Sequence, residues 1–194
     1  DSLKSSNVSS KEITQMGQDI TGKAANDQTG LSVSINSDGT RVAIGAPFND
    51  DTGSNAGHVR VFEWDGVSWN QIGEDITGEA ANDKSGYSVS INSDGTIVAI
   101  GAFLNDGTGS NAGHVRVFQL DGTSWNQIGN DIEGEAQNDN SGYSVSINSE
   151  GTRVAIGAYL NDGTASNAGH VRVYDWDGVL SLIHISEPTR RSVI

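Results

Sequence analysis

The chain has 194 residues, with 11 Lys and Arg against 25 Asp and Glu, for a formal charge of −14. Such acidity argues against nucleic acid and against insertion into or binding to an anionic membrane, and zero Cys excludes disulfides, thiolate metal sites and cysteine nucleophiles. Gly stands at 25, well above the usual ~7%, while Pro is only 2, a balance that suits many tight turns rather than a linker.

Residues 1–12 are polar and Ser-rich, without the apolar or basic regions of a signal peptide, and read as a remnant of an earlier, diverged repeat. Asn7-Val8-Ser9 within them is a glycosylation sequon, which matters only in a eukaryotic secretory setting. Residues 13–29 follow as the last strand of a preceding unit and its linker, because Ile13-Thr14-Gln15-Met16-Gly17 matches Trp69 to Gly73.

Three copies then align without gaps at an offset of 56: residues 30–85, residues 86–141 and a truncated third, residues 142–179. Gly86-Tyr87-Ser88-Val89-Ser90-Ile91 opens the second copy, with Gly30 to Ile35 and Gly142 to Ile147 as its counterparts. That copy predicts four strands: Tyr87 to Ile91, Ile97 to Ala102, His114 to Leu120 and Ser124 to Ile128. β-branched and aromatic residues fill them, no 3.6-residue period appears, and Ser93-Asp94-Gly95-Thr96 reads as a tight hairpin. A four-stranded unit of this size cannot bury both its faces, so the copies stack radially. The predicted fold class is all-β: a partial β-propeller of about three four-stranded antiparallel blades. Up-and-down order puts the first and third turns of a blade at one end. The loop between strands two and three and the interblade linker lie at the other.

After Val179 the pattern breaks. Leu180 to Arg190 fits an in-frame translation of a transposon-type sequencing adapter, so residues 180–194 are expected to be a non-native tail. The whole then reads as a piece of a longer propeller.

Gly86-Tyr87-Ser88-Val89, Ile100-Gly101-Ala102 and Gly113-His114-Val115-Arg116-Val117-Phe118 together resemble the FG-GAP repeat, as found in the N-terminal propeller of integrin α subunits and in microbial surface proteins. Gly45-Ala46-Pro47 keeps the naming triplet, while Phe103 and Tyr159 replace its proline in the other copies. The resemblance implies an extracellular or cell-surface location, the remaining blades of a parent chain as partners, and a protein or glycan ligand.

The family's calcium pattern in the first hairpin corresponds here to Ser34-Ile35-Asn36-Ser37-Asp38-Gly39 and its copies. The first carboxylate is Ser each time, which leaves Asp38 and Asp94 as weak calcium candidates and favours a plain Asp-Gly hairpin. The loops between strands two and three carry Asn49-Asp50, Asn105-Asp106 and Asn161-Asp162, and the linkers carry Asp27, Asp83 and Asp139. These residues form an acidic end, at the face where integrins bind ligands. It is open to weak cation binding at Asp50, Asp106 and Asp162, in the millimolar range at most, or to recognition of a basic or polar partner. Against both stands Asx-turn chemistry, in which Asn and Asp cap their own loops.

His58, His114 and His170 recur once per copy, two residues before Arg60, Arg116 and Arg172, and are expected to make interblade hydrogen bonds or ion pairs with an Asp. Trp69 and Trp125 are expected to pack between blades, and Trp64 and Trp176 at sheet edges. No catalytic triad, phosphate loop or HExxH site is present, so no catalytic residue and no cofactor beyond weak calcium is expected. The expected function is a non-catalytic binding or adhesion module of a larger secreted or cell-surface protein. The alternatives are a structural spacer and the remnant of an enzyme propeller whose site lies in other blades.

Overall fold

The computed structural model describes residues 12–176 and the backbone of residues 182–184. Its strands form three antiparallel sheets, one per repeat. The first holds β1 (Ser32–Ile35), β2 (Arg41–Ala46), β3 (His58–Trp64), β4 (Trp69–Gln71) and β5 (Ile76–Thr77). The second holds β6 (Ser88–Ile91), β7 (Ile97–Ala102), β8 (His114–Asp121), β9 (Ser124–Gln127) and β10 (Ile132–Glu133). The third holds β11 (Ser141–Ile147), β12 (Arg153–Ala158), β13 (His170–Trp176) and β14 (Leu182–His184).

The registers of the first two sheets are copies: Val33 faces Ile44 across β1 and β2, as Val89 faces Ile100 across β6 and β7. The predicted fourth strand is split. β9 and β10 pair successive parts of β8, and β4 and β5 do the same on β3. The break falls at Gly73 and Gly129, both at positive φ, and a Cβ at Gly73 would lie 2.6 Å from the Trp125 ring of the next blade. At Gly73 the kink seats the neighbour's tryptophan. Residues 12–31 include no strand, since a fourth strand pairs with the third strand of its own blade. β14 pairs β13 where a fourth strand belongs. The rest of residues 180–194, like Asn7-Val8-Ser9, lies outside the described residues.

Alternation along the strands gives every sheet two apolar faces. In the second, Val89, Ile91, Val98, Ile100 and Phe118 pack against Ala43, Val59, Val61 and Ile76 of the first. Its opposite face, Ala99, Val115, Val117 and Ile132, packs against Val154, Ile156 and Tyr174 of the third. Each fully buried Val or Ile contributes about 1.5–3 kcal/mol, so the blades hold together mainly through these two interfaces.

Polar ties recur across them at the repeat spacing. Ser32 Oγ donates to Gly86 O and Ser88 Oγ to Gly142 O, both at 2.7 Å. Ser34 Oγ accepts from Ile91 N, and Ser90 Oγ from Ile147 N. Arg60, Arg116 and Arg172 each donate to the carbonyl of Thr21, Thr77 and Glu133, 39 residues back. Trp69 Nε1 and Trp125 Nε1 donate to Met16 O and Ile72 O, the interblade role expected of them. Trp64 packs on Trp69 with ring centroids 5.4 Å apart.

Candidate functional site

Six of the nine loop residues expected on a ligand face are buried in the fold instead. Asp27, Asp83 and Asp139 are each only 3% exposed. Their Oδ2 atoms accept from the backbone N of Ala24, Ala80 and Ala136 and from the side-chain amides of Asn49, Asn105 and Asn161, the latter at 3.0, 3.0 and 2.8 Å. Each amide oxygen in turn accepts from the backbone N two residues on, at Asp51, Gly107 and Gly163. The physical reason is that a loop and a linker meeting at one blade end bring unpaired backbone N–H groups, and a carboxylate–carboxamide pair satisfies them from inside. Burial holds the Asp83 carboxyl above its ordinary range, against the opposing bond from Asn105.

Asp50, Asp106 and Asp162 are exposed, but each is a loop cap. Their Oδ1 atoms accept from the backbone N of Asn55, Asn111 and Asn167 at 2.7, 2.7 and 2.6 Å. Those three Asn take φ between 51° and 54°, a left-handed turn that Asn tolerates. In the opposite hairpins, Asp38 accepts from Thr40 Oγ1 and N, which lowers its pKa, and Asp94 accepts from Asn92 Nδ2. None of these five calcium candidates belongs to a cluster of three or more potential metal ligands among the described residues.

The histidines meet the expectation only in part. His58 Nδ1 lies 3.4 Å from Asp75 Oδ2 and 3.9 Å from Asp51 Oδ2, both carboxylates of its own blade, and neither ring nitrogen has a hydrogen-bond partner. His114 and His170 do reach across the blade interface, to a Glu rather than an Asp: their Nδ1 atoms lie 3.9 Å from Glu79 Oε2 and 3.7 Å from Glu135 Oε2, and Arg116 and Arg172 approach the same two carboxylates. Burial is the main reason the His58 ring titrates below its ordinary value, with Arg60 and Lys23 adding to the shift. Burial and Arg116 push His114 down to about 4. Burial alone would raise Asp75, but its bonds from Lys23 and Gln71 leave it lowered.

One exposed feature of the loop end was not foreseen from composition. Tyr87, Phe103, Tyr143 and Tyr159 form a continuous aromatic ridge, with centroid spacings of 4.4 Å (Tyr87–Phe103), 5.4 Å (Phe103–Tyr143) and 4.3 Å (Tyr143–Tyr159). Tyr143 is 37% and Tyr159 48% exposed. The Tyr87 hydroxyl donates to that of Tyr143 at 3.3 Å, and this bond, with some burial, pushes the Tyr87 phenol up to about 12. Lys84 Nζ lies 4.5 Å from the Phe48 ring centroid and 6.0 Å from that of Phe103, extending the ridge with a cation. The signal was present in the sequence: an aromatic residue opens the first strand and another follows the second in both later copies. Leu31 and Pro47 stand at those places in the first copy.

The FG-GAP repeat profile matches residues 21–62, 77–118 and 133–174, more than half of the sequence. The chain belongs to the FG-GAP repeat family. Each matched unit runs from the start of a linker, across the blade interface, to the third strand of the next sheet. It thus spans the arginine tie and the Asp–Asn pair and leaves out the kinked outer strand. No curated protein sequence matches the FG-GAP chain. Among solved structures, a candidate 6-phosphogluconolactonase from Bacteroides uniformis superposes with a TM-score of 0.53 at 13% identity, over 80% of this chain and 39% of that one. Hydrazine synthase from Kuenenia stuttgartiensis gives a TM-score of 0.48 at 10% identity, over 86% of this chain and 38% of that one. The FG-GAP chain spans about two fifths of each of these two structures, and the likeness to the first is one of fold. Among the described residues, no helix is long and apolar enough to cross a membrane.

Proposed function

We propose that this FG-GAP chain is a non-catalytic ligand-binding module, of the adhesion kind, within a larger secreted or cell-surface protein. The observation that supports this most is the aromatic ridge. Tyr143 and Tyr159 keep large ring faces in water at the loop end, the end that also carries the exposed Asp106 and Asp162. Rigid aromatic faces at an acidic end suit a protein or glycan ligand with a polar or basic character, since tyrosine offers contact area at small entropic cost. A non-catalytic role agrees with the near-identity of the copies, because an active site needs residues that differ between blades. An extracellular location rests on the family, whose repeats occur in extracellular proteins.

The spacer reading draws on a different observation: the Asp–Asn pairs at the loop end are spent on the fold. A glycan and peptide array probed with the full chain separates the two. The binding reading expects a retained ligand class that the Tyr143→Ser/Tyr159→Ser variant loses. An array with no ligand retained by the unmodified chain favours the spacer.

A further inference from the structure

Outside the aromatic ridge the most distinctive feature is a cluster of carboxylates around His114, which stands out when the copies are compared. Around His58, Lys23 Nζ lies 2.5 Å from Asp75 Oδ2 and 3.7 Å from Asp51 Oδ2, the two carboxylates nearest that buried imidazole. The chain thus supplies its own cation between two carboxylates. Fifty-six residues on, around His114, the position of Lys23 is Glu79, that of Asp51 is Gly107 and that of Thr77 is Glu133, while Asp131 keeps the place of Asp75. The Glu133 carboxylate stands over Gly107, where a Cβ would lie 2.6 Å from both of its oxygens, so it fills the space opened by the loss of Asp51. Three carboxylates therefore gather where the surroundings of His58 hold two carboxylates and an ammonium.

His114 makes this more than an acidic cluster. The residue is 1% exposed, and its Nδ1 is buried without a hydrogen-bond partner. That nitrogen lies 3.8 Å from Asp131 Oδ2 and 3.9 Å from Glu79 Oε2. Arg116 Nη1 approaches the other Glu79 oxygen at 3.4 Å, which leaves Oε2 toward the imidazole. Glu133 Oε2 is likewise buried without a hydrogen-bond partner.

We propose that Glu79, His114 and Asp131 bind one divalent transition-metal ion of the zinc type, which takes the place that the Lys23 ammonium holds beside His58. Imidazole nitrogen with carboxylate oxygen is a donor set that zinc accepts, whereas calcium prefers six or more oxygens. Bonds of about 2.1 Å reach across the present gaps at an open angle, and a shift of about 0.4 Å in the side chains of Glu79 and Asp131 brings it to tetrahedral. The site rests on the contrast between copies and is independent of the ligand proposed for the ridge.

Calorimetric titration of the full chain with zinc chloride tests it. One equivalent should bind, with calcium chloride far weaker at the same site. Glu79→Lys, an exposed position that installs the residue found beside His58, should weaken zinc by roughly 100-fold or more while the circular dichroism spectrum is unchanged. Lys23→Glu should raise the stoichiometry from one to two. The absence of saturable zinc binding, or zinc binding that Glu79→Lys leaves intact, would overturn the proposal.

Discussion

At the scale of the residue, the acidic end of each blade serves mainly to build it. Asp83 is held by one backbone N–H and by Asn105, so Asn105→Ala strips a buried carboxylate of its side-chain donor. A loss of about 1–3 kcal/mol in a denaturant titration is expected. His58 gives a pH dependence whose sign follows from its burial. The native ring is kept neutral, so the unfolded chain, with an ordinary value near 6.5, takes up the proton first. The contribution of His58 is complete above that value and is lost as the pH falls through it toward the lower native value. The groups facing it are Asp75 and Asp51, which favour the charged ring, and Arg60 and Lys23, which oppose it. The denaturation midpoint should therefore drop between about pH 7 and pH 5.5, and less so in His58→Gln. Asp83, Glu79 and Glu133, whose native values are raised by burial, act in the opposite sense at lower pH, so the window must stay above the carboxylate range. The sequence showed that Asn and Asp recur, and it showed that Asx turns compete with ligand binding. It could not show that Asp83 meets Asn105, because that pairing joins two segments 22 residues apart through the return of the strands.

At the scale of the element, alternation and turn residues located nearly every strand. The second strand of the middle copy is found at Ile97–Ala102, as expected, and the third runs one residue further, to Asp121. The kink between β4 and β5 was not legible, since Trp125 of the next blade seats on Gly73 there, a contact between copies. The same holds for the serines of β1 and β6. Ser-Val-Ser-Ile reads as simple alternation, yet its hydroxyls tie one inner strand to the next. Ser88→Ala should cost about 0.5–1.5 kcal/mol. Gly101→Ala should cost more, about 3 kcal/mol, because its Cβ would fall 2.0 Å from Gly142 O, at the closest approach of β7 to the third blade. Thermal melts of the two variants give this ordering directly.

At the scale of the whole molecule, the two blade interfaces are repeats of each other, and their unpaired halves are left at the outer sheets. Val33 and Ile35 of β1 are 62% and 59% exposed, whereas Val89 and Ile91 at the same places in β6 are 8% and 7% exposed. Val171 and Val173 of β13 are the complementary half, at 68% and 44%. The chain should therefore self-associate head to tail as its concentration rises. Sedimentation velocity should report this, and Val33→Lys/Ile35→Lys should suppress it. The repeat and its propeller stacking were readable from the residues, because a 56-residue period with alternating apolar positions leaves few ways to bury both faces. The aromatic positions were readable too, but their joining into one ridge was not, since Phe103 and Tyr87 meet Tyr143 only when blades are adjacent. The claim that this ridge, rather than the loop carboxylates, receives the ligand has a direct measurement: NMR chemical-shift mapping of the labelled chain with the ligand class retained on the array. Shifts centred on Tyr87, Tyr143 and Tyr159 are predicted; shifts centred on Asp50, Asp106 and Asp162, or on the hairpins at the opposite end, would contradict the account.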